Sequence, residues 1–127
     1  MSRVSKSPMI TIVDDDEAVR TAIGSLVRSL GFRASTFASA DAFLHSERVH
    51  DTSCLITDIQ MPGLSGIELQ ARLRAESNAV PIIFITAFPE ERIRRQVMAA
   101  GAVGFLSKPF DGGAIIDCIE RALGAPA

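Results

Sequence analysis

The acidic residues that follow short apolar runs are the part of this sequence best suited to chemistry. The run Asp14–Asp16 comes directly after the apolar residues 9–13, and Asp58 comes directly after residues 53–57. Carboxylates held close together repel one another, so some of them would stay protonated without a counter-charge. A hard divalent cation supplies that charge, and ligands that offer only oxygen favour Mg²⁺ over zinc. These residues therefore predict a Mg²⁺ site, with Mn²⁺ as a second candidate metal.

Two further polar residues occupy similar places in the sequence. Thr86 follows the apolar run 80–85, and Lys108 comes two residues after the run 102–106. A lysine near a bound cation adds a second positive charge, and a threonine hydroxyl adds a hydrogen-bond donor. A carboxylate nucleophile, Mg²⁺, a lysine and a hydroxyl are together the groups needed to transfer a phosphoryl group onto an aspartate. Asp58, which precedes a turn containing Pro62 and Gly63, is the candidate nucleophile.

These residues can act together only if their strands lie side by side. The chain alternates five apolar strand patterns with five helix patterns, which predicts an α/β fold with one doubly wound parallel sheet and helices on both faces. Because the carboxyl ends of parallel strands share one edge of a sheet, the candidate residues would converge there. The predicted strands are 9–13, 32–37, 53–57, 80–85 and 102–106.

The helix patterns give more detailed expectations. The residues predicted to face inward in the first helix are Val19, Ile23, Leu26 and Leu30. Those predicted to face inward in the fourth helix are Ile93, Val97 and Ala100. Ser39 is predicted to cap the second helix, and Pro89 to lie in the first turn of the fourth. The polar segment 46–52 is predicted to be a loop.

Length and composition predict one domain of ordinary globular character. The chain has 127 residues and a net charge of -2, without a long basic block, so direct nucleic-acid binding is not expected. We predict a flexible tail at residues 1–8 and one domain at residues 9–124. No run is apolar enough to span a membrane, and residues 1–8 lack the features of a signal peptide, so we expect a cytoplasmic protein. Cys54 and Cys118 are predicted to be buried free thiols.

Four short motifs, each at the end of an apolar strand and in a fixed order, carry a resemblance to a known family. They are Ile12-Val13-Asp14-Asp15-Asp16, the stretch from Thr57 to Gly66, Ile85-Thr86-Ala87 and Lys108-Pro109-Phe110. The chain resembles the receiver domain of two-component response regulators, of the CheY-like superfamily. Its local sequence is closest to receivers that regulate transcription in nitrogen-fixing bacteria. The resemblance implies a flavodoxin-like fold with strand order 2-1-3-4-5.

The resemblance also implies a role for individual residues. Asp58 would accept the phosphoryl group, and Thr86 and Lys108 would bind its oxygens. Mg²⁺ would be bound directly by Asp15, by Asp58 and by the backbone carbonyl of Gln60, and mostly through water by Asp14. Phe105 would change rotamer together with Thr86, and a cis peptide would join Lys108 and Pro109. The side chains of Gln60 and Phe88 would flank the path of the water that hydrolyses the phosphorylated residue.

The function implied is a phosphorylation-dependent signalling switch rather than an enzyme that turns over an external substrate. Its expected partners are a sensor histidine kinase or phosphotransfer protein, and a downstream effector or an output domain of its own. A phosphorylation-dependent homodimer is a further expectation. One alternative is a small aspartyl-phosphate phosphatase of the haloacid-dehalogenase kind, since Asp14 and Asp16 match the spacing of its opening motif. Another is a docking module that is never phosphorylated.

Overall fold

The computed structural model describes residues 7–124, so residues 1–6 of the predicted tail and residues 125–127 lie outside it. The strands are β1 (Met9–Val13), β2 (Arg33–Phe37), β3 (Cys54–Asp58), β4 (Ile82–Thr86) and β5 (Gly104–Ser107). The helices are α1 (Glu17–Ser29), α2 (Ala40–Leu44), α3 (Gly66–Ala75), α4 (Glu91–Ala99) and α5 (Gly112–Ala122), with a short 3-10 helix at Glu47–His50.

All of the strand pairings are parallel, and the five strands form one sheet in the order β2-β1-β3-β4-β5. This confirms the predicted fold class and strand order. The register pairs Val13 with Thr57, Asp58 with Ile85, and Thr86 with Ser107. The carboxyl ends of β1, β3, β4 and β5 therefore lie next to one another along a single edge of the sheet.

Side chains that alternate along the strands form a separate core on each face of the sheet, as expected for parallel strands buried on both sides. Ile12, Ile56 and Ile85 pack with Ile23 of α1 and Ile119 of α5. The opposite core contains Leu55, Phe84, Phe43, Leu69 and Val97, from β3, β4 and helices α2, α3 and α4. Strands that are packed on both faces therefore present the polar residues at their carboxyl ends.

Several local expectations were wrong at the ends of elements. The predicted loop 46–52 contains the 3-10 helix, because the Ser46 hydroxyl caps it and Val49 packs into the core. Leu30 is 40% exposed because it lies in the C-cap of α1, and Val27 takes the buried position instead. Ala100 is exposed for the same reason at the end of α4.

The fourth helix begins later than predicted. Its N-cap is Glu90 and its first residue is Glu91, so Pro89 precedes the helix instead of lying in its first turn. Two other local predictions are confirmed, because the Ser39 hydroxyl caps α2 and Cys54 and Cys118 are buried free thiols. None of the helices within residues 7–124 is both long and apolar enough to cross a membrane.

Candidate functional site

The polar residues predicted to converge do lie together at the carboxyl edge of the sheet. Asp58 and Thr86 are the last residues of β3 and β4, Asp14 comes directly after β1, and Lys108 comes directly after β5. Asp14, Asp58 and Thr86 are buried, whereas Asp15 is exposed. The ammonium group of Lys108 lies between two carboxylates, with Nζ 2.9 Å from Asp58 Oδ2 and 3.0 Å from Asp14 Oδ2.

The loop after β3 holds the Asp58 carboxylate in one orientation. Its Oδ1 atom accepts hydrogen bonds from the backbone N–H groups of Ile59, at 2.6 Å, and Gln60, at 3.3 Å. Gly66 closes this loop by donating its N–H to the Ile59 carbonyl at 2.8 Å. A Cβ atom at Gly66 would overlap the backbone carbonyl of Asp58, so only glycine allows this approach. Oδ2 is left directed at Lys108.

The buried carboxylate of Asp14 is in an unfavourable electrostatic environment. Burial raises its pKa above 3.8, and the charge of Asp58 acts in the same direction, although the Asp16 N–H and Lys108 oppose both. Asp14 Oδ1 accepts the Asp16 N–H at 2.8 Å. Oδ2 is buried, and within residues 7–124 its contact with Lys108 is an ion pair that lacks the geometry of a hydrogen bond. One buried oxygen therefore still has capacity for a further positive partner.

Lys108 balances these carboxylates. Burial lowers its pKa, but the hydrogen bond to Asp58 and the close negative charges of Asp14 and Asp58 outweigh burial, so the net pKa lies above 10.5 and the ammonium group is protonated at neutral pH. Its backbone N–H donates to the Thr86 carbonyl at 2.8 Å, which ties the loop after β5 to the end of β4. The peptide bond between Lys108 and Pro109 is cis.

The acidic residues fit a hard divalent cation. Asp14, Asp15 and Asp58 each offer one carboxylate oxygen, and these oxygens lie within 4.8 Å of one another. All are hard ligands, and exposed Asp15 leaves room for the water molecules that Mg²⁺ retains. The under-satisfied Oδ2 of Asp14 is a second observation in favour of a cation. Asp16 does not join this cluster, because its carboxylate caps α1 by accepting the Ala18 N–H at 2.9 Å.

The other predicted residues lie around this cluster. The Thr86 hydroxyl accepts the Phe88 N–H at 3.1 Å, so its own proton is not used in that bond. Phe105 is half-buried on β5, opposite Phe84, and packs against the core beneath α4. Gln60 is exposed, and Phe88 is 66% exposed beyond the end of β4. The structure thus places both Gln60 and Phe88 in loops at the same edge.

One residue at this edge was not anticipated from the sequence. Arg20 of α1 donates from Nη1 to the backbone carbonyl of Asp14 at 2.7 Å. Its position near the N-terminus of a helix could have drawn attention to it, because the helix dipole disfavours positive charge there. A basic residue in such a place needs a compensating partner, and the Asp14 carbonyl is that partner.

Comparison with known proteins relates this fold and site to one family. A family model described as "Response regulator receiver domain" matches residues 10–120. The response regulator protein TmoT of Ectopseudomonas mendocina is 41% identical over 91% of this chain and 52% of its own length. The transcriptional regulatory protein FixJ of Azorhizobium caulinodans is 37% identical over 93% of this chain and 56% of its own length.

A solved structure of the response regulator StyR superposes with a TM-score of 0.86 at 45% identity, covering 93% of this chain and 60% of that one. The chain thus spans about half the length of the curated relatives it matches. These similarities favour neither of the two alternatives, the haloacid-dehalogenase phosphatase and the docking module that is never phosphorylated. The family model spans nearly the whole chain, which shows that the chain belongs to the response regulator receiver domain family.

Proposed function

We propose that this domain accepts a phosphoryl group on Asp58 with the help of Mg²⁺ and thereby changes the surface it offers to a partner. The observation that carries the proposal is the Lys108 ammonium group held between buried Asp58 and Asp14, beside exposed Asp15. A buried carboxylate supported by a fixed cation, with an open side towards solvent, is suited to receive a phosphoryl group. Membership of a family of signalling domains supports a switch rather than a turnover enzyme.

The roles of the residues follow from their contacts. The carboxylates of Asp14, Asp15 and Asp58 would hold Mg²⁺, together with the Gln60 backbone carbonyl, whose part is implied by the family resemblance. The ion would neutralise charge on the carboxylates and on the incoming phosphoryl group. A carboxylate oxygen of Asp58 forms a bond to phosphorus, while the bond from phosphorus to the donor atom breaks and its electron pair leaves with the donor. The N–H groups of Ile59 and Gln60 keep the carboxylate oriented during this exchange.

Two side chains then bind the transferred group. The Lys108 ammonium, already 2.9 Å from Asp58 Oδ2, turns its donors to a phosphoryl oxygen. The Thr86 hydroxyl oxygen accepts the Phe88 N–H, and no hydrogen bond donated by this hydroxyl is found within residues 7–124, so it can donate a hydrogen bond to a second phosphoryl oxygen. Movement of Thr86 towards the site opens space for Phe105, and α4, β5 and α5 change the surface that carries Arg92, Arg94, Arg95 and Asp111.

The partners follow from this chemistry and from the family. The donor is a sensor histidine kinase or phosphotransfer protein, and this protein is proposed to act in the cytoplasm. The recipient of the signal is a downstream effector, an output domain joined to this one, or a second phosphorylated copy of the chain. The region 9–124 is proposed to act as one receiver unit.

Labelling with a small phosphoryl donor tests the proposed function. With acetyl phosphate and Mg²⁺, the purified domain should gain one phosphoryl group per chain, measured by intact mass, and a chelator should prevent the gain. The domain should not turn over a chromogenic phosphate ester, which a phosphatase would hydrolyse repeatedly. Steady turnover of the ester, or no labelling at any Mg²⁺ concentration, would contradict the proposal.

Phe88 is predicted to lengthen the lifetime of the phosphorylated state. Its N–H is bonded to the Thr86 hydroxyl, so the residue is drawn along when Thr86 moves towards the phosphoryl group. An aromatic ring there cannot orient a water molecule for attack, and removing an oriented nucleophile removes a large rate factor. We expect Phe88→Glu to lose phosphate about tenfold faster than the unaltered domain, because a carboxylate that can orient water replaces an exposed phenylalanine.

The control for this prediction is Phe88→Ala, which removes the ring without adding a group that orients water. The phosphorylated domain is separated from the donor by gel filtration in the presence of Mg²⁺. The loss of phosphate is then followed by the intact mass of the domain. Loss from Phe88→Glu that is no faster than from the unaltered domain would show that the exposed ring does not shield the site.

A further inference from the structure

We propose that Arg20 is a positioning residue for the metal site, which it orders through the backbone of Asp14. The contact that carries this inference is the 2.7 Å hydrogen bond from Arg20 Nη1 to the Asp14 carbonyl. Arg20 contacts a backbone carbonyl and offers no metal-ligating oxygen of its own, so it would act through the residues it holds. The inference rests on the proposed function, because it assumes that Asp14 and Asp15 bind Mg²⁺.

The cost of placing an arginine here indicates a specific role. Arg20 is the fourth residue of α1 and ends its first turn, where the aligned peptide dipoles disfavour a positive charge. The side chain is half-buried instead of extending into solvent. Its hydrogen bond to a carbonyl is charge-assisted, and such bonds are about twice as strong as neutral ones. The unfavourable interaction of Arg20 with the helix dipole is thus offset by its hydrogen bond to the Asp14 carbonyl at the edge of the sheet.

The exposed acidic residue Asp15 lies between the end of β1 and the start of α1, and Arg20 links these two elements. Its side chain binds the carbonyl that precedes Asp15, whereas its backbone N–H makes the first hydrogen bond of α1, to the Asp16 carbonyl at 3.1 Å, which any residue at this position would make. The Asp14 N–H is itself bonded to the Phe37 carbonyl at 3.1 Å. Because Asp15 is exposed, backbone orientation rather than side-chain packing sets the direction of its carboxylate. Arg20 holds the peptide plane between Asp14 and Asp15 and thereby restricts the direction in which the Asp15 side chain leaves the backbone.

Mg²⁺ is sensitive to such an arrangement because it requires near-octahedral geometry at short distances. Residues that orient metal ligands without binding the metal commonly change affinity by about ten- to a hundredfold when removed. Simple charge would act in the opposite direction. An arginine near an acidic cluster repels an incoming cation, so loss of its charge alone would strengthen Mg²⁺ binding. A positioning role for Arg20 therefore predicts weaker Mg²⁺ binding when the side chain is removed, whereas a purely electrostatic role predicts tighter binding.

The experiment measures Mg²⁺ affinity without phosphorylation. The chain has no Trp or Tyr, so amide shifts of labelled protein in an NMR titration are the readout. Arg20→Ala should bind Mg²⁺ about tenfold more weakly, and Arg20→Lys, which keeps the charge and one donor, should recover part of that loss. Arg28→Ala is the matched control, since it removes one exposed arginine from the same helix and should leave affinity nearly unchanged.

The labelling reaction supplies a second readout. If Arg20 positions the metal site, slow labelling of Arg20→Ala by acetyl phosphate should recover at high Mg²⁺, whereas a general loss of structure would not recover. If Arg20→Ala does not fold, the same Mg²⁺ titration of Arg20→Lys tests the inference, which then expects Mg²⁺ binding weaker than that of the unaltered domain. Unchanged or tighter Mg²⁺ binding in these variants would overturn the inference about Arg20. Failure of the unaltered domain to bind Mg²⁺ would instead overturn the proposed function.

Discussion

Replacing Asp58 by Asn should abolish labelling by acetyl phosphate altogether while leaving the domain folded. The amide oxygen can still accept the N–H groups of Ile59 and Gln60, so the loop after β3 keeps its shape. An amide is not a nucleophile. Asp58 also combines contact with Lys108 and access to solvent in a way that neither of the other two carboxylates of the cluster, Asp14 and Asp15, does. Asp14 is fully buried, and exposed Asp15 lacks the lysine contact within residues 7–124.

The measurement is the intact mass of each variant after incubation with the donor and Mg²⁺. Asp117→Asn, a substitution at an exposed position on α5, is the matched control and should be labelled like the unaltered domain. Peptide mapping of the labelled domain should place the phosphoryl group on the peptide that contains Asp58. Undiminished labelling of Asp58→Asn would end the assignment of Asp58 as the acceptor.

The fold could be predicted from the sequence because its strands are buried on both faces. Residues 54–58 and 82–86 are buried throughout, so each is a nearly continuous apolar run whose length distinguishes it from a helix. Once five such runs alternate with helices, the parallel topology places their carboxyl ends together. The convergence of Asp14, Asp58 and Lys108 therefore follows from the order of elements alone.

What could not be predicted depends on contacts between distant segments. The place of Arg20 near the start of α1 suggests a compensating partner, but that partner is identified only once the carbonyl that follows β1 is seen beside it. Gly66 directly follows the residue that caps α3, and only the approach of the Asp58 carbonyl explains why no side chain fits there. The exposed Leu30 and Ala100 fit the helical period, but each lies where its helix has already ended.

Lys108→Met should destabilise the domain in the absence of Mg²⁺. Methionine keeps most of the apolar stem but leaves the carboxylates of Asp14 and Asp58 without their shared cation. Removing one partner of a fully buried ion pair costs about 3 to 5 kcal/mol. Because the Lys108 side chain is 19% exposed, we expect a smaller loss of about 2 kcal/mol in the free energy of unfolding, measured by urea denaturation.

Two controls separate charge from packing in this variant. Adding Asp14→Asn to Lys108→Met should recover much of the loss, because the asparagine oxygen can still accept the Asp16 N–H while one of the two unpaired charges is removed. Mg²⁺ should stabilise Lys108→Met more than the unaltered domain, since the cation then neutralises carboxylates that have no lysine. If neither change reduces the deficit, the loss comes from packing of the lysine stem.

The loss in Lys108→Met should also depend on pH, with a sign set by Asp14. Burial already raises the folded-state pKa of Asp14 above its ordinary value, and removing Lys108 removes a contribution that lowers it. A carboxyl whose pKa is raised by folding contributes stability that is fully present below its unfolded pKa and is lost as pH rises through the folded pKa. The deficit relative to the unaltered domain should therefore be largest near neutral pH and should shrink on acidification. A deficit that stays constant between neutral and mildly acidic pH would show that Asp14 does not carry an unpaired charge in the variant.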